Sequence, residues 1–387
     1  MAHFLDSAGA KVGFLDRKVT LFDLADALGV STGTIHRALH NHAGVSPITK
    51  TRVLQMAKSM GYRPNLAARY LSKRQQLRIS VNTLQGTTSF WDEVRAGIQR
   101  EAQSLSMGAS IQIEFRTYPQ LGEGEAEAFE EAVRSGVNGI ITFPSRPQQM
   151  QAWMRRAMRA QIPVVCVATD APSTGRIAVV SIDTMVSGSL AGDLLGRLLK
   201  GEGKVAVTLS DLAITEHAEK CEAFRGTFEK YYPGISLVET VEEHDIDGEA
   251  YEKCHRLFSA QPDLAGIYVS TEASLPVMEA ARDTGILPRL LIITTDLFPG
   301  LVQHIRDGQV LATIYQRPYT QGRMAFRVLH EFLVEGTCPA HPLTLAPHLV
   351  MRGNLEFFLQ RQSQESASER ASDHALDAAD LEGFSLR

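Results

Sequence analysis

At 387 residues, 44% hydrophobic and 21% charged, with a formal net charge of −5, the chain has a globular composition and room for more than one domain. No run of about 18 apolar residues occurs, and Met1 to Ser7 lack a basic stretch followed by an apolar core; neither a spanning helix nor a secretory signal is expected, which implies a cytoplasmic chain. Cys166, Cys221, Cys254 and Cys338 are scattered without a Cys-x-x-Cys, so free thiols are expected, with no disulfide, metal or cofactor.

Residues 1–16 read as a mobile extension, and 17–64 as a small helical domain. Thr20 with Asp23 matches a capping box, and Leu21, Leu24, Ala25 and Leu28 then fall on one helical face. Gly29 stops that helix, and the tight Gly29-Val30 turn leads to Ser31, which caps the next one. Ile35, Ala38 and Leu39 face inward there, leaving Thr32, Gly33, His36 and Arg37 outside. Ser46-Pro47 starts a third helix, with Val53, Met56, Ala57 and Met60 as its stripe and Gly61 as its stop. Two short helices joined in this way form a helix–turn–helix, which places its second helix in the major groove of DNA.

Stripes alone are equally compatible with any small helical bundle. Charge separates the two readings. Between Arg17 and Arg78 there are eleven Lys or Arg against Asp23 and Asp26, a net +9, which leaves −14 on the rest of the chain. A basic head on an acidic body is the footprint of a phosphate-binding module.

The stretch resembles the DNA-binding head of the lac repressor family. Thr20, Leu21, Asp23, Ala25, Gly29, Val30, Ser31, Thr34, Arg37, Val45, Ser46, Gly61, Tyr62, Pro64, Asn65, Ala68 and Leu71 all stand where that family's pattern has them. Leu24, Leu28 and Ile35 are apolar departures; His36, on the reading face, is a polar one. The resemblance implies DNA contacts from Thr20, Ser31, Thr32, Gly33, Thr34, His36, Arg37, His42, Ser46, Thr49 and Tyr62. It also implies a hinge helix and linker at 65–76, with Asn65, Ala68 and Leu71 at the DNA and Leu71 as the minor-groove wedge. Asn65 to Leu71 is too short to be a stable helix alone, so it is expected to fold when two copies meet on DNA.

From Leu77 onward short apolar runs alternate with helical patterns. Strands are expected at 77–81, 110–115, 139–143, 163–168, 204–209, 236–241, 266–269 and 291–295. Helices are expected at 93–105, 124–135, 148–160, 188–199, 217–231, 249–259 and 275–284. The alternation gives parallel sheets built from βαβ units, in two similar halves, with ligands expected beyond the carboxyl ends of the strands. The predicted class is therefore α/β: an all-α head, then a two-lobed body with parallel sheets.

The body, about 77–360, resembles the type 1 periplasmic sugar-binding fold carried by lac repressor relatives, nearest its ribose-binding-like branch. Ser89 to Trp91, Ile162 to Val164, Asp170, Ile182-Asp183, Lys220 before Phe224, Thr295-Asp296 and Ala312 to Pro318 carry that likeness. It implies a sugar, polyol or cyclitol packed on Phe90 and Trp91 and hydrogen-bonded by Asp296 and Gln316. Lys220 and Thr271 stand where ribose binders place Arg and often Asn. The Asp-Arg that follows their Ile-Pro-Val strand is replaced by Ala168-Thr169-Asp170, with Asp170 offered as the remaining carboxylate. Each position has a plainer alternative: Phe90 and Trp91 as core, Asp296 as a cap, Gln316 in a turn, Lys220 as a solvated charge. Residues 361–387, rich in Ser, Ala, Asp and Glu, read as a mobile tail.

Two other classes compete. An enzyme on this body would need a phosphate loop, a nucleotide fingerprint or a nucleophile elbow, and none occurs. Asp183, Asp211, Glu216, His217 and Asp296 supply acid–base types, but hydroxyl recognition needs the same types. An exported solute receptor conflicts with the basic head and the missing signal. The expected function is a ligand-gated DNA-binding repressor, acting as a homodimer on a near-palindromic operator, with no catalysis and no membrane partner.

Overall fold

Three short helices make the head: α1 (Leu21–Leu28), α2 (Thr32–Leu39) and α3 (Pro47–Ser59). The computed structural model describes residues 19, 21–39, 44–60, 76–85, 89–105 and 111–360, in two compact units that we take in turn. The expected extension at 1–16, the hinge at 65–71 and the tail at 361–387 lie outside the described residues.

The head is held by Leu24, Ala25, Ile35, Ala38, Val53 and Ala57, one pair from each helix, with Leu28, Leu39, Met56 and Met60 packed around them. Helix α1 ends at Gly29, whose φ of +65° lets Val30 N–H reach back to Ala25 O at 3.1 Å. Ser31 and Ser46 cap the next two helices by accepting from Thr34 N–H (3.2 Å) and Thr49 N–H (3.1 Å).

The body contains two six-stranded sheets. The first runs β2 (Ile111–Tyr118), β1 (Leu77–Leu84), β3 (Gly139–Thr142), β4 (Val164–Val167), β5 (Ala178–Ile182) and β11 (Leu343–Leu345), all parallel. The second repeats that order with β7 (Gly234–Glu242), β6 (Glu202–Leu209), β8 (Leu264–Val269), β9 (Leu291–Thr295), β10 (Ala312–Tyr315) and β12 (His348–Val350), where only β12 is antiparallel. Central strands are buried along their length, as parallel sheets covered on both faces require.

The helices between the strands are α4 (Ser89–Leu105), α5 (Glu125–Arg134), α6 (Pro147–Arg159), α7 (Thr184–Leu198), α8 (Thr215–Tyr231), α9 (Asp247–Ala260), α10 (Ser274–Asp283), α11 (Pro299–Arg306) and α12 (Pro318–Glu335). The sequence reading placed the first strand and helix short: β1 runs on to Leu84 and α4 starts at Ser89, not Glu93. Strand β5 was not expected; Ala178 to Ile182 stands directly before the Asp183 that caps α7 by accepting from Val186 N–H at 2.9 Å.

The halves are not consecutive. After β10 the chain returns: α12 packs on the first lobe and β11 completes its sheet, before β12 goes back to the second. Gly97 on α4 and Gly322 on α12 make that return possible. A Cβ on Gly97 would stand 2.1 Å from Tyr319 O, and one on Gly322 2.1 Å from Val94 O, so the two backbones touch. Glu101 of α4, fully buried, is held by Arg323 (3.0 Å) and Arg327 (2.6 Å) of α12. The crossings meet where Asp183 N–H donates to Leu345 O at 2.8 Å.

Candidate ligand cleft and DNA-reading face

The carboxyl ends of both sheets open on one cavity of about 150 Å³, an order of magnitude more than the roughly 10–15 Å³ that one water requires. The first lobe contributes Leu84, Phe90, Trp91, Phe143, Ala168 and the Pro119–Leu121 loop. The second contributes Glu216, His217, His244, Asp245, Ser270, Thr271, Glu272, Asp296 and Gln316. One wall is thus almost wholly apolar, the other almost wholly polar. Phe90, Trp91 and Phe143 form an edge-on aromatic cluster, with ring centroids 4.9 and 4.8 Å apart.

Asp296 stands directly after β9, with φ of +65° and 3% exposure. Its Oδ1 accepts from Gln316 N–H at 3.1 Å and its Oδ2 from Gln316 Nε2 at 2.6 Å. Gln316 Oε1 in turn accepts from Lys220 Nζ at 2.7 Å, and Lys220 pairs with Glu216 one helical turn away. Burial and the neighbouring Glu272 charge push the Asp296 carboxyl up to about 7, against the Gln316 bonds and Lys220. Burial opposes the Lys220 ammonium, but Glu216 outweighs it and the lysine stays charged, its pKa raised. His217 is pushed down to about 4 by burial and is neutral. Its Nδ1 is buried with no hydrogen-bond partner among the described residues.

The lobes touch around the cavity. Glu272 accepts from Ser89 Oγ (2.6 Å) and Phe90 N–H (3.1 Å) at the start of α4, and burial raises its pKa. Arg146 pairs with Asp211 at 2.5 Å, Tyr315 OH donates to Glu93 at 2.6 Å, and Glu216 N–H donates to Thr169 Oγ1 at 3.3 Å.

Of the expected ligand residues, Phe90, Trp91, Thr271, Asp296 and Gln316 come together in the wall. Phe90 and Trp91 also belong to the core, at 8% and 5% exposure. Thr271 donates its hydroxyl to Glu243. Lys220 lies behind the wall, fully buried rather than a solvated charge, and reaches the cavity through Gln316 and Glu216. Asp170 does not line the cavity: Arg176 holds its carboxylate through two bonds. Among the residues set aside for an enzyme, Asp183 is a helix cap and Asp211 an ion-pair partner, whereas Glu216 and His217 do line the cavity. Ser270, Glu272, His244 and Asp245 were missed. Ser270 and Glu272 carried the same kind of signal as Asp296, polar residues just after the apolar strand β8, whereas His244 and Asp245 follow the mixed strand β7 and carried none.

In the head, Gly33 and Arg37 are exposed on α2, and Thr32 and Thr34 are half-buried. Arg37 Nη2 lies 3.4 Å from Thr34 Oγ1, folded back over Gly33. The hydroxyls of Ser31 and Ser46 cap their helices and also touch Thr34 Oγ1 (2.9 Å) and Thr49 Oγ1 (2.8 Å). Thr20, His42, Tyr62, Asn65, Ala68 and Leu71 lie outside the described residues, as does the side chain of His36.

Residues 79–337 match the model of the periplasmic binding protein domain, and residues 20–65 that of the bacterial regulatory proteins of the lacI family. Similar relatives include catabolite control protein A of Priestia megaterium and of Staphylococcus epidermidis. They are 26% and 23% identical over 338 residues, each covering 86% of this chain and 97% of the relative. Similar solved structures include GanP, a glucose-galactose binding protein from Geobacillus stearothermophilus (22% identity, TM-score 0.68, 73% of this chain and 99% of that one). A solute-binding protein from Burkholderia graminis C4D1M, in complex with D-arabinose, matches alike (22%, 0.67, 72% and 96%). No helix among the described residues is long and apolar enough to cross a membrane.

Proposed function

The chain belongs through its body to the periplasmic binding protein domain family and through its head to the lacI family of bacterial regulatory proteins, and on that footing we propose a ligand-controlled repressor. Two copies read a near-palindromic operator through α2, because one head spans only a few base pairs and two-fold symmetry doubles the site. The effector is a small polyhydroxylated molecule, a sugar, polyol or cyclitol, held in the cleft between the lobes. The observation that carries this reading is the convergence of Asp296 and Gln316 with Phe90 and Trp91 on one cavity at the strand ends. A ring packed on the aromatic wall turns its hydroxyls toward the opposite polar wall. Relatives and neighbours support the class: two relatives are catabolite control proteins, and of two similar solved structures one is a glucose-galactose binding protein and one holds D-arabinose.

Ligand and operator communicate through residues 65–71. Closing the lobes changes the spacing of two linkers and biases whether both hinges pair on DNA, a two-state element of the kind that allostery requires. The test is a thermal-shift screen of sugars, polyols and cyclitols on the full chain, followed by binding to a selected operator with and without each hit. A ligand at 100 times its Kd stabilises by about 2.7 kcal/mol. Hits that are unchanged in Asp296→Ala, or that leave operator affinity unaltered, refute the reading.

A further inference from the structure

The two walls of the cavity differ in what they ask of a ligand, and the inference here rests on the reading of the cleft as the effector site. Glu216, Asp245, Glu272 and Asp296 bring four carboxylates to the polar wall. Most side-chain donors beside and behind them are already committed, the buried Ser270 hydroxyl being an exception. Lys220 holds Glu216 and Gln316, the Gln316 amide holds Asp296, and the Thr271 hydroxyl holds Glu243. The wall therefore offers lone pairs in excess. His217 adds another unmet group, a buried imidazole nitrogen with no partner, lining the same cavity.

An acceptor-only ligand, such as a phosphate or a sugar acid, finds carboxylates where it needs donors. A hydroxyl is half suited, because each also carries lone pairs that seek donors. An ammonium is donor only and carries the charge that the wall lacks. The opposite wall suits it too: Phe90, Trp91 and Phe143 line it, and aromatic rings attract cations. We propose that the effector is an amino polyol, an amino sugar or aminocyclitol whose ammonium is received by Asp296 and Glu272 against the aromatic wall. Ion pairing with carboxylates this buried keeps the charge on both partners. In the free protein that site strains its own charges, since burial raises both carboxyls, helped by the Glu272 charge at Asp296 and by the Asp92 charge at Glu272.

The experiment uses the full-length protein at pH 7 and matched probes that differ at one group. The sets are D-glucosamine, D-glucose and D-gluconate; D-galactosamine and D-galactose; glucamine and sorbitol; and glucose 6-phosphate. Calorimetry gives each Kd. The amine member of a set should bind at least tenfold tighter than its hydroxyl partner, with the acid and phosphate weakest. Glu272→Gln and Asp296→Asn, both close in shape, should each reduce the amine-to-hydroxyl ratio at least fivefold while circular dichroism stays native. A hydroxyl member that binds as tightly as its amine, and is lost in Asp296→Ala, overturns the inference and leaves the polyol reading standing. Preferred binding of the acid or phosphate overturns the inference as well. Absence of binding by every probe at 10 mM (on the order of −3 kcal/mol at best) rejects both.

Discussion

Ala168 and Asp296 occupy the same place in the two lobes. Each directly follows the fourth strand of its half, each has a left-handed φ, 68° and 65°, and each donates its N–H to the next strand, to Val180 O at 2.9 Å and to Ile314 O at 3.0 Å. The preceding pair repeats the relation: Phe143 N–H donates to Asn82 O, and Ser270 N–H to Thr208 O. At both pairs the first lobe has an apolar side chain and the second a polar one. A left-handed residue other than glycine costs roughly 1–2 kcal/mol, so the backbone holds these positions against local preference and aims them at the cleft. The asymmetry of the cavity arises from substitution at equivalent positions on one shared frame.

Asp296 makes the ligand-free protein sensitive to pH. Its native carboxyl, at about 7, lies above the ordinary value of 3.8, so between these values the native state holds a proton that the unfolded state has lost. Stability therefore falls as pH rises through that window and levels off above 7. Asp296→Asn removes this slope and keeps those of Glu125 and His217. The melting temperature of wild type minus that of the variant should drop by several degrees from pH 4 to pH 7.5, on the order of a few kcal/mol. Parallel curves would show that Asp296 is ionised throughout.

Lys220, 0% exposed, is anchored by Glu216 and Gln316. Lys220→Met leaves the Glu216 carboxylate buried without its cation, which costs about 3–5 kcal/mol. Adding Glu216→Gln should recover much of that loss, because the desolvated charge disappears as well. Urea unfolding of both singles and the double measures the coupling. A double variant that loses the sum of the singles would mean that the pair does not interact.

Gly188 links packing to the site. A Cβ there would lie 2.1 Å from Lys220 O, where α7 crosses α8. Gly188→Ala must push α8 outward, and Lys220 and Glu216 move with it. Overpacking of this kind costs about 1–3 kcal/mol or more. Ligand affinity should fall too, although Gly188 does not line the cavity. Gly226→Ala, on the open side of α8 with nothing within 4 Å of its Cβ, is the control and should lose neither. Wild-type affinity in Gly188→Ala would disconnect the helix crossing from the cleft.

Arg37, exposed on α2, is the side chain there best suited to a bidentate base contact, since Gly33 offers none. Arg37→Ala should cost about 1–3 kcal/mol on a selected operator and flatten preference at one position of each half-site. Lys50→Ala, at the start of α3, should instead weaken all sequences alike and reduce the salt slope by about one. Unchanged base preference in the arginine variant would move recognition elsewhere on the head.

The amino-acid sequence by itself determined the helices of the head, their caps and most strands of the body. These depend on stripes, turns and capping residues that act within a few positions of one another. It also pointed to Asp296, because a polar residue directly after an apolar strand is exceptional at any register, whereas Gln316 and Thr271 were indicated by the resemblance to sugar binders. Only the tertiary structure decided which strand ends face each other. The return of α12 and β11 to the first lobe rests on two glycines, Gly97 and Gly322, that are more than two hundred positions apart. Asp170 and Lys220 have the right chemistry for a ligand, but Arg176 holds the first outside the cavity, and Glu216 and Gln316 stand between the second and the cavity. The contrast between Phe143 and Ser270, and between Ala168 and Asp296, follows from the shared strand order of the two sheets. Burial and charge pairing between distant segments set these roles, and no local pattern of residues records them.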